Sequence, residues 1–213
     1  MAKLGILKIA HRIPSMWADS AIIFLSLMPL SLILLFSSFS LAAEQSLPKS
    51  QGRFLVATEQ LDHTSFHQAV ILITHHSERG ATGLTINRPT KIPLRKIFPH
   101  TQQLKQKEDS LYLGGPVSTN AIFVLLRTNQ PSKNMHHIAK NIYFSTANSA
   151  FSNAFNGTSR VYAGYAGWSP GQLQAEIDRG DWTLMHTEPN IIFEKKPQNL
   201  WQRLSKRWSG QWL

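Results

Sequence analysis

Residues Gly164–Leu173 read "GYAGWSPGQL", with three glycines and two aromatics in ten positions. The apolar run "RVYA" (Arg160–Ala163) leads in, and "QAEIDRG" (174–180) leads out. A glycine-rich turn after a strand raises a phosphate-binding loop, but that loop requires a Lys-Ser/Thr ending that is missing here. Ser169 instead suits a helix N-cap and Pro170 the first helical position. Gln172, three residues after Ser169, completes a capping-box pattern. The spacing predicts a helix to about Arg179, with Leu173 and Ile177 facing inward and Gly180 as its C-terminal stop. A Ser169 side-chain cap would contribute about 1 kcal/mol. The stretch therefore reads as a strand-to-helix joint. Gly164 and Gly167 let the strand pass close to a neighbour while Tyr165 and Trp168 pack on either side.

Outward from this joint the body is strand-rich. "RFLVAT" (Arg53–Thr58), "AVILIT" (Ala69–Thr74) and "TGLTIN" (Thr82–Asn87) read as strands, the second too apolar to keep a wet face. "LYLGGPV" (Leu111–Val117), "AIFVLLRT" (Ala121–Thr128), "NIYFST" (Asn141–Thr146) and "WTLMH" (Trp182–His186) add four more. Leu94–Phe98 is a short amphipathic piece, "ANSAFSNAF" (Ala147–Phe155) a short helix, and Pro89–Ser110 and Asn129–His137 otherwise polar connections. Strands come in groups without strict alternation with helices, which favours a single α+β domain with a mixed sheet. The tail "NLWQRLSKRWSGQWL" reads as a basic amphipathic helix, with Leu200, Trp201, Leu204 and Trp208 on one face. Docking onto the domain is the first expectation for it, and contact with an anionic membrane the second.

The N-terminus has a different character. Lys3, Lys8 and Arg12 precede the apolar run "AIIFLSLMPLSLILLF" (Ala21–Phe36), and Ser40-Leu41-Ala42 supplies small residues at the positions a signal peptidase reads. Residues 1–43 are expected to be a signal peptide or a retained membrane anchor, a mistaken start site being the remaining alternative. Residues 44–51 form a polar linker, and 52–213 the folded body. Either of the first two readings makes the body periplasmic or anchored facing outward; the third leaves it cytoplasmic. The net charge is +10, of which residues 1–50 carry +2, leaving +8 in the body. That balance permits anionic partners without specifying one, and its scatter along the chain argues against a nucleic-acid face. The absence of cysteine excludes thiol catalysis, thiolate metal sites and disulfides.

No catalytic set is legible. There is no GxSxG elbow and no HExxH. The histidines His63, His67, His75 and His76, near Asp62 and Glu78, lack a helical apolar period that would align ligands, so no metal and no cofactor is expected. "INRP" (Ile86–Pro89) and "LGGPV" (Leu113–Val117) each end an apolar strand with residues that force a turn. Arg88 could bind a carboxylate or phosphate, or tie two loops through backbone carbonyls, which is the first expectation. Candidate ligand-binding residues are Asn87, Arg88, Gly114, Gly115, Tyr165, Trp168, Gln172 and Glu176.

"GRFLVAT", Phe66 with Val70, "H…GA.GL.INRP" (His76–Pro89), "LGGPV" and "GYAGW.PGQL..EI" occur in family order. Together they resemble the YqgE/AlgH family across about Gly52 to Trp208. The resemblance implies a bent, mixed sheet forming a pseudo-barrel with flanking helices. It supplies no reaction, because the family has no established biochemical activity, although some members are described as transcriptional regulators. His63 and Thr64 stand where members commonly carry Asp-Pro. Asn120-Ala121-Ile122-Phe123 replaces a frequent Arg-Gly-Phe, and most members lack a leader. The sequence thus points to a noncatalytic binding or scaffold protein of the cell envelope, with an unidentified ligand or protein partner. Membrane contact would run through the N-terminal segment and the C-terminal helix. A cytosolic transcriptional regulator is the alternative if the leader is not functional, and an enzyme with a polar cleft the third reading. Export would exclude nucleic acid.

Overall fold

The computed structural model describes residues 50–101, 109–147, 150 and 157–208. Branched and aromatic side chains pack well on a pleated surface, and among the described residues ten runs of them form one sheet. Its first five strands are β1 (Phe54–Ala57), β2 (Val70–Ser77), β3 (Gly80–Thr85), β4 (Pro89–Pro93) and β5 (Ser110–Leu113). The rest are β6 (Val117–Arg127), β7 (His136–Ala139), β8 (Ile142–Thr146), β9 (Thr158–Trp168) and β10 (Trp182–Met185). Short helices flank it, among the described residues α1 (Leu94–Ile97), α2 (Gln172–Asp178), α3 (Pro189–Ile192) and α4 (Leu200–Trp208). The order is β10-β1-β2-β3-β9-β6-β8-β7, with β4 on β5 and β5 beside β9. Among the described residues only the β5–β9 pairing is parallel, so the sheet is mixed and the domain α+β. β4 and β7 fall in segments expected to be polar connections. β4 begins and ends in proline, which an edge strand tolerates.

β9 is the bend on which the sheet turns. Its first half pairs with β6 and β5, and its last residues, Ala166–Trp168, pair with β3. Gly164 sits between the halves at φ 68°, a left-handed conformation that glycine adopts without steric cost. Gly114 stitches the two lobes together. Its N–H donates to the Ala163 carbonyl and its carbonyl accepts from the Thr85 N–H, both at 2.8 Å.

The bent sheet wraps an interior cluster that includes Phe54, Val56, Leu72, Leu84, Leu125 and Tyr162. It does not close into a hydrogen-bonded barrel. β7 and β10 remain its two ends, and the Gln51 side-chain amide donates to the His137 carbonyl of β7 at 3.0 Å. Ile191 and Ile192 of α3 and Leu200 and Leu204 of α4 complete the interior. The C-terminal helix therefore docks through its apolar face, Leu200 being fully buried and Leu204 nearly so. Arg203 pairs with Glu194, and Arg207 with Glu188, on the polar side. Arg127 and Arg160 fasten this C-terminal segment from the sheet. They donate to the carbonyls of Pro189, Ile192 and Glu194.

A second cluster lies on the outside of the first lobe. There Leu55, Ile71, Ile73 and Trp168 meet Leu173 of α2, so β1 and β2 are buried on both faces. The helix expected after Trp168 forms with Leu173 and Ile177 packed inward, and Gly180 ends it at φ 85°. Its start differs from expectation. The Gln172 side-chain Oε1 does accept from the Ser169 N–H at 3.0 Å, one half of a capping box. The other half is missing: the N-cap is Gly171 at φ 74°, and no side chain accepts there. The tight turn of Ser169–Gln172 places Ser169 ahead of the N-cap Gly171, too early to cap. Ser169→Ala is therefore expected to change stability by less than about 0.5 kcal/mol. Gly171→Ala should cost about 1 kcal/mol through backbone strain alone, read from paired urea melts.

At the start of the body, Ser50 is hydrogen-bonded to Nδ1 of His76. Burial, and then the neighbouring His75, lower the His76 pKa below its ordinary value of 6.5. The folded state thus favours neutral His76. That contribution to stability is complete above about pH 6.5 and is lost as pH falls through the lower folded value. His76→Gln is expected to flatten the acid limb of a stability-against-pH curve; an unchanged limb would assign that limb to other groups.

Among the described residues no helix is long and apolar enough to cross a membrane. Residues 1–49, where the leader or anchor is expected, lie outside the described residues, as does most of "ANSAFSNAF".

Candidate functional site

The sequence-selected residues fall into two groups. Gly114, Gly115 and Tyr165 belong to the β9 bend, where Tyr165 packs edge-on against Phe123 with ring centroids 5.8 Å apart. Trp168 and Glu176 contact Trp182, an indole absent from the sequence-selected set, Gln172 reaches it through Glu176, and Asn87 and Arg88 reach it through the loop that carries Phe66. Glu176 on α2 accepts from Trp168 Nε1 at 2.8 Å and Trp182 Nε1 at 2.9 Å, both on Oε2. The Gln172 side-chain amide donates to the other carboxylate oxygen at 2.9 Å. Helical spacing produces this geometry: Gln172 and Glu176 are four apart on one face of α2, turned toward the sheet.

Asn87 and Arg88 act on the loop between β1 and β2. The Asn87 carbonyl oxygen accepts from the Val70 N–H at 3.0 Å, and its amide donates to the Gln68 carbonyl at 2.9 Å. Arg88 donates to the carbonyls of Ser65 and His67, so the guanidinium ties loops through main-chain acceptors. Burial draws its pKa down from the ordinary value. The loop so held carries Phe66, whose ring meets Trp182 edge-on at 5.5 Å. Arg88 and Glu176 thus have separate partners and support one indole from two sides.

That indole lines a cleft of ≈ 790 Å³ at the end of β1, within the size range of ligand sites. Trp182 and Leu184 of β10, Ile177 of α2 and Trp201 of α4 supply its apolar walls, with Glu59, Gln60 and Lys206 among the polar residues lining it. Trp201 is fixed by a 2.7 Å hydrogen bond from Nε1 to the Ala57 carbonyl. Both indole N–H groups are thus engaged within the protein; Trp182 is nearly fully buried, and Trp201 is the more exposed of the two rings. Trp182 and Trp201 carried no motif, because only the fold brings an edge strand and a terminal helix to one place. The signal available was the number of tryptophans, six, in a chain of this length.

Comparison with known proteins fits this architecture. Residues 54–213 match the family model described as AlgH-like. A UPF0301 protein of Methylococcus capsulatus is 35% identical over 164 residues, covering 74% of this chain and 90% of that protein. A UPF0301 protein of Streptomyces avermitilis is 32% identical over 165 residues, covering 73% and 85%. The solution structure of AlgH from Pseudomonas aeruginosa has a TM-score of 0.61 at 29% identity, covering 78% of this chain and 91% of that one. A crystal structure of a Corynebacterium diphtheriae protein has a TM-score of 0.64 at 25% identity, covering 78% and 90%. With the bend, the glycine stitch and the helix after Trp168 in place, this chain belongs to the AlgH-like family.

Proposed function

We propose that this protein is a noncatalytic binding protein of the cell envelope, and that it takes its ligand or partner in the cleft beside Trp182. The observation that carries this reading is the construction of the cleft wall. Glu176 accepts from Trp182 and is itself held by Gln172 and Trp168, Asn87 and Arg88 hold the loop whose Phe66 packs on the same indole, and Trp182 stands with Trp201 among the residues lining the cleft. A rigid aromatic wall recognises by shape and ring contact. The charged side chains lining the cleft are Glu59 and Lys206, a set suited to orienting a bound group. The envelope placement rests on the basic, apolar and small-residue order of residues 1–43.

Two measurements test the reading. A fragment library screened by NMR against the full-length chain should shift the Trp182 and Trp201 indole signals together. Hits confined to other surfaces would overturn the cleft as the site. Fractionation of the tagged full-length protein should recover it with the envelope; a cytosolic pool with Met1 intact would overturn that placement and restore the regulator reading.

A further inference from the structure

Residues 186–208 run from the end of β10 through α3 and α4. Strand neighbours are joined by main-chain ladders, yet among the described residues no main-chain hydrogen bond links this segment to the rest of the domain. Its own main-chain bonds are internal, from the Ile191 N–H to the Glu188 carbonyl and from the Glu194 N–H to the Ile191 carbonyl. Two ion pairs are internal as well: Arg203 with Glu194 and Arg207 with Glu188 join α4 to the residues on either side of α3. The segment is therefore a self-braced strap.

Side chains hold the strap to the sheet. Arg127 of β6 and Arg160 of β9 donate to the carbonyls of Pro189, Ile192 and Glu194, and their guanidinium groups lie over the Phe193 ring at 4.9 and 5.9 Å. Trp201 donates to the Ala57 carbonyl, and Ile191, Ile192, Leu200 and Leu204 pack into the interior. The fit is imperfect at the start of the strap. Arg127 Nε and Thr187 Oγ1 are buried with no hydrogen-bond partner among the described residues, and water satisfies both once the strap lifts. Undocking exposes apolar side chains, but it breaks no ladder and relieves two orphaned groups. That is the profile of a unit that opens below global unfolding.

The strap also carries part of the cleft. Trp201 and Ser205 line it from α4, while Val56 and Leu184 line it from the sheet. The cleft is whole only while α4 is docked. Resting on the reading of the cleft as a binding site, we infer that residues 186–208 form its gate: they undock from the sheet as one unit, turning about His186 and Thr187, and the docked state alone binds. A ligand that touches both walls then holds the strap down. A lifted strap lowers the apparent affinity by the fraction of molecules that are open.

Native-state amide exchange on the full-length chain tests the gate. The Leu204 and Ser205 amides of α4 report the strap; the Thr85 and Gly114 amides, bonded to the Gly114 and Ala163 carbonyls, report the sheet. The strap amides should exchange faster than the sheet amides and accelerate in low urea with a shallower slope, as an opening that exposes less surface requires. A urea-independent rate would mean fraying of α4 and would overturn the gate. Ile73 stands beside Arg53, at the other end of β1 from the Trp201 bond to Ala57. Ile73→Val should therefore speed the sheet amides about fivefold and leave the strap amides at their parent rates. Equal acceleration of both sets would make the domain one cooperative unit, and the gate would fall. A fragment that shifts the Trp182 and Trp201 indoles, held at about ten times its Kd, should slow the strap amides about tenfold. Unchanged strap rates with that fragment bound would sink the gate and leave the cleft reading standing. A library with no fragment that shifts both indoles would remove the cleft reading and the gate together.

Discussion

Gly115→Ala is expected to yield no stably folded protein. A Cβ at this position would lie 2.2 Å from the carbonyl carbon of Tyr165, 2.3 Å from its oxygen and 2.4 Å from the Ala166 nitrogen. These are backbone atoms of β9, so no rotamer change relieves the overlap; two strands must separate. The same approach operates one residue earlier, where a Cβ on Gly114 would lie 2.2 Å from the Gly164 carbonyl oxygen. Separating the strands breaks the stitch between Thr85, Gly114 and Ala163 that joins the two lobes. The expected cost exceeds about 4 kcal/mol, against a total stability for a domain of this kind of about 5–15 kcal/mol. Gly167→Ala is the matched control. Its nearest contact would be the Tyr165 ring at 3.2 Å, a side chain that can yield, so its cost should stay within about 1 kcal/mol. Urea melts followed by far-UV circular dichroism read both. A Gly115→Ala protein melting like its parent would mean that the strands do not approach this closely at the bend.

The same residues show how far the sequence could be read. The run over Ala69–Thr74 declared itself as a strand because burial on both faces demands continuous apolar sequence, and Arg53–Thr58 and Thr82–Asn87 did so through short runs rich in branched and apolar residues. The helix after Trp168 was legible from periodicity and its glycine stop. Its cap was not, since a capping box is a local pattern and the turn that displaced Ser169 depends on a left-handed Gly171. β4 and β7 were hidden because an edge strand of five residues or fewer needs no apolar period when its partner supplies the pairing. Arg88 was correctly expected on main-chain carbonyls. What it serves was not legible. Phe66 packs on Trp182, and Trp182 and Trp201 line one wall of the cleft, yet the three lie far apart in sequence and only tertiary structure brings them together.

That wall makes Glu176→Ala the sharpest test of the site. One carboxylate accepts both indole N–H groups and the Gln172 amide. Trp168 is 7% and Trp182 3% exposed, so water does not replace the lost acceptor readily. Each orphaned buried donor costs about 1–3 kcal/mol, so the variant should lose about 3 kcal/mol in urea melts. Glu176→Gln keeps a neutral oxygen able to accept from the indoles and should recover about half of that loss, because bonds to a charged acceptor are roughly twice as strong. Stability alone would not distinguish a brace for the cleft from any other buried contact. The discriminating readout is binding: fragments that shift Trp182 and Trp201 in the parent should bind more weakly to Glu176→Ala under conditions where the variant remains folded. Glu176→Gln should restore binding together with stability. If Glu176→Ala folds and holds those fragments as the parent does, Trp182 is positioned by Phe66 and the surrounding core, and the carboxylate serves only to dock α2 on the sheet.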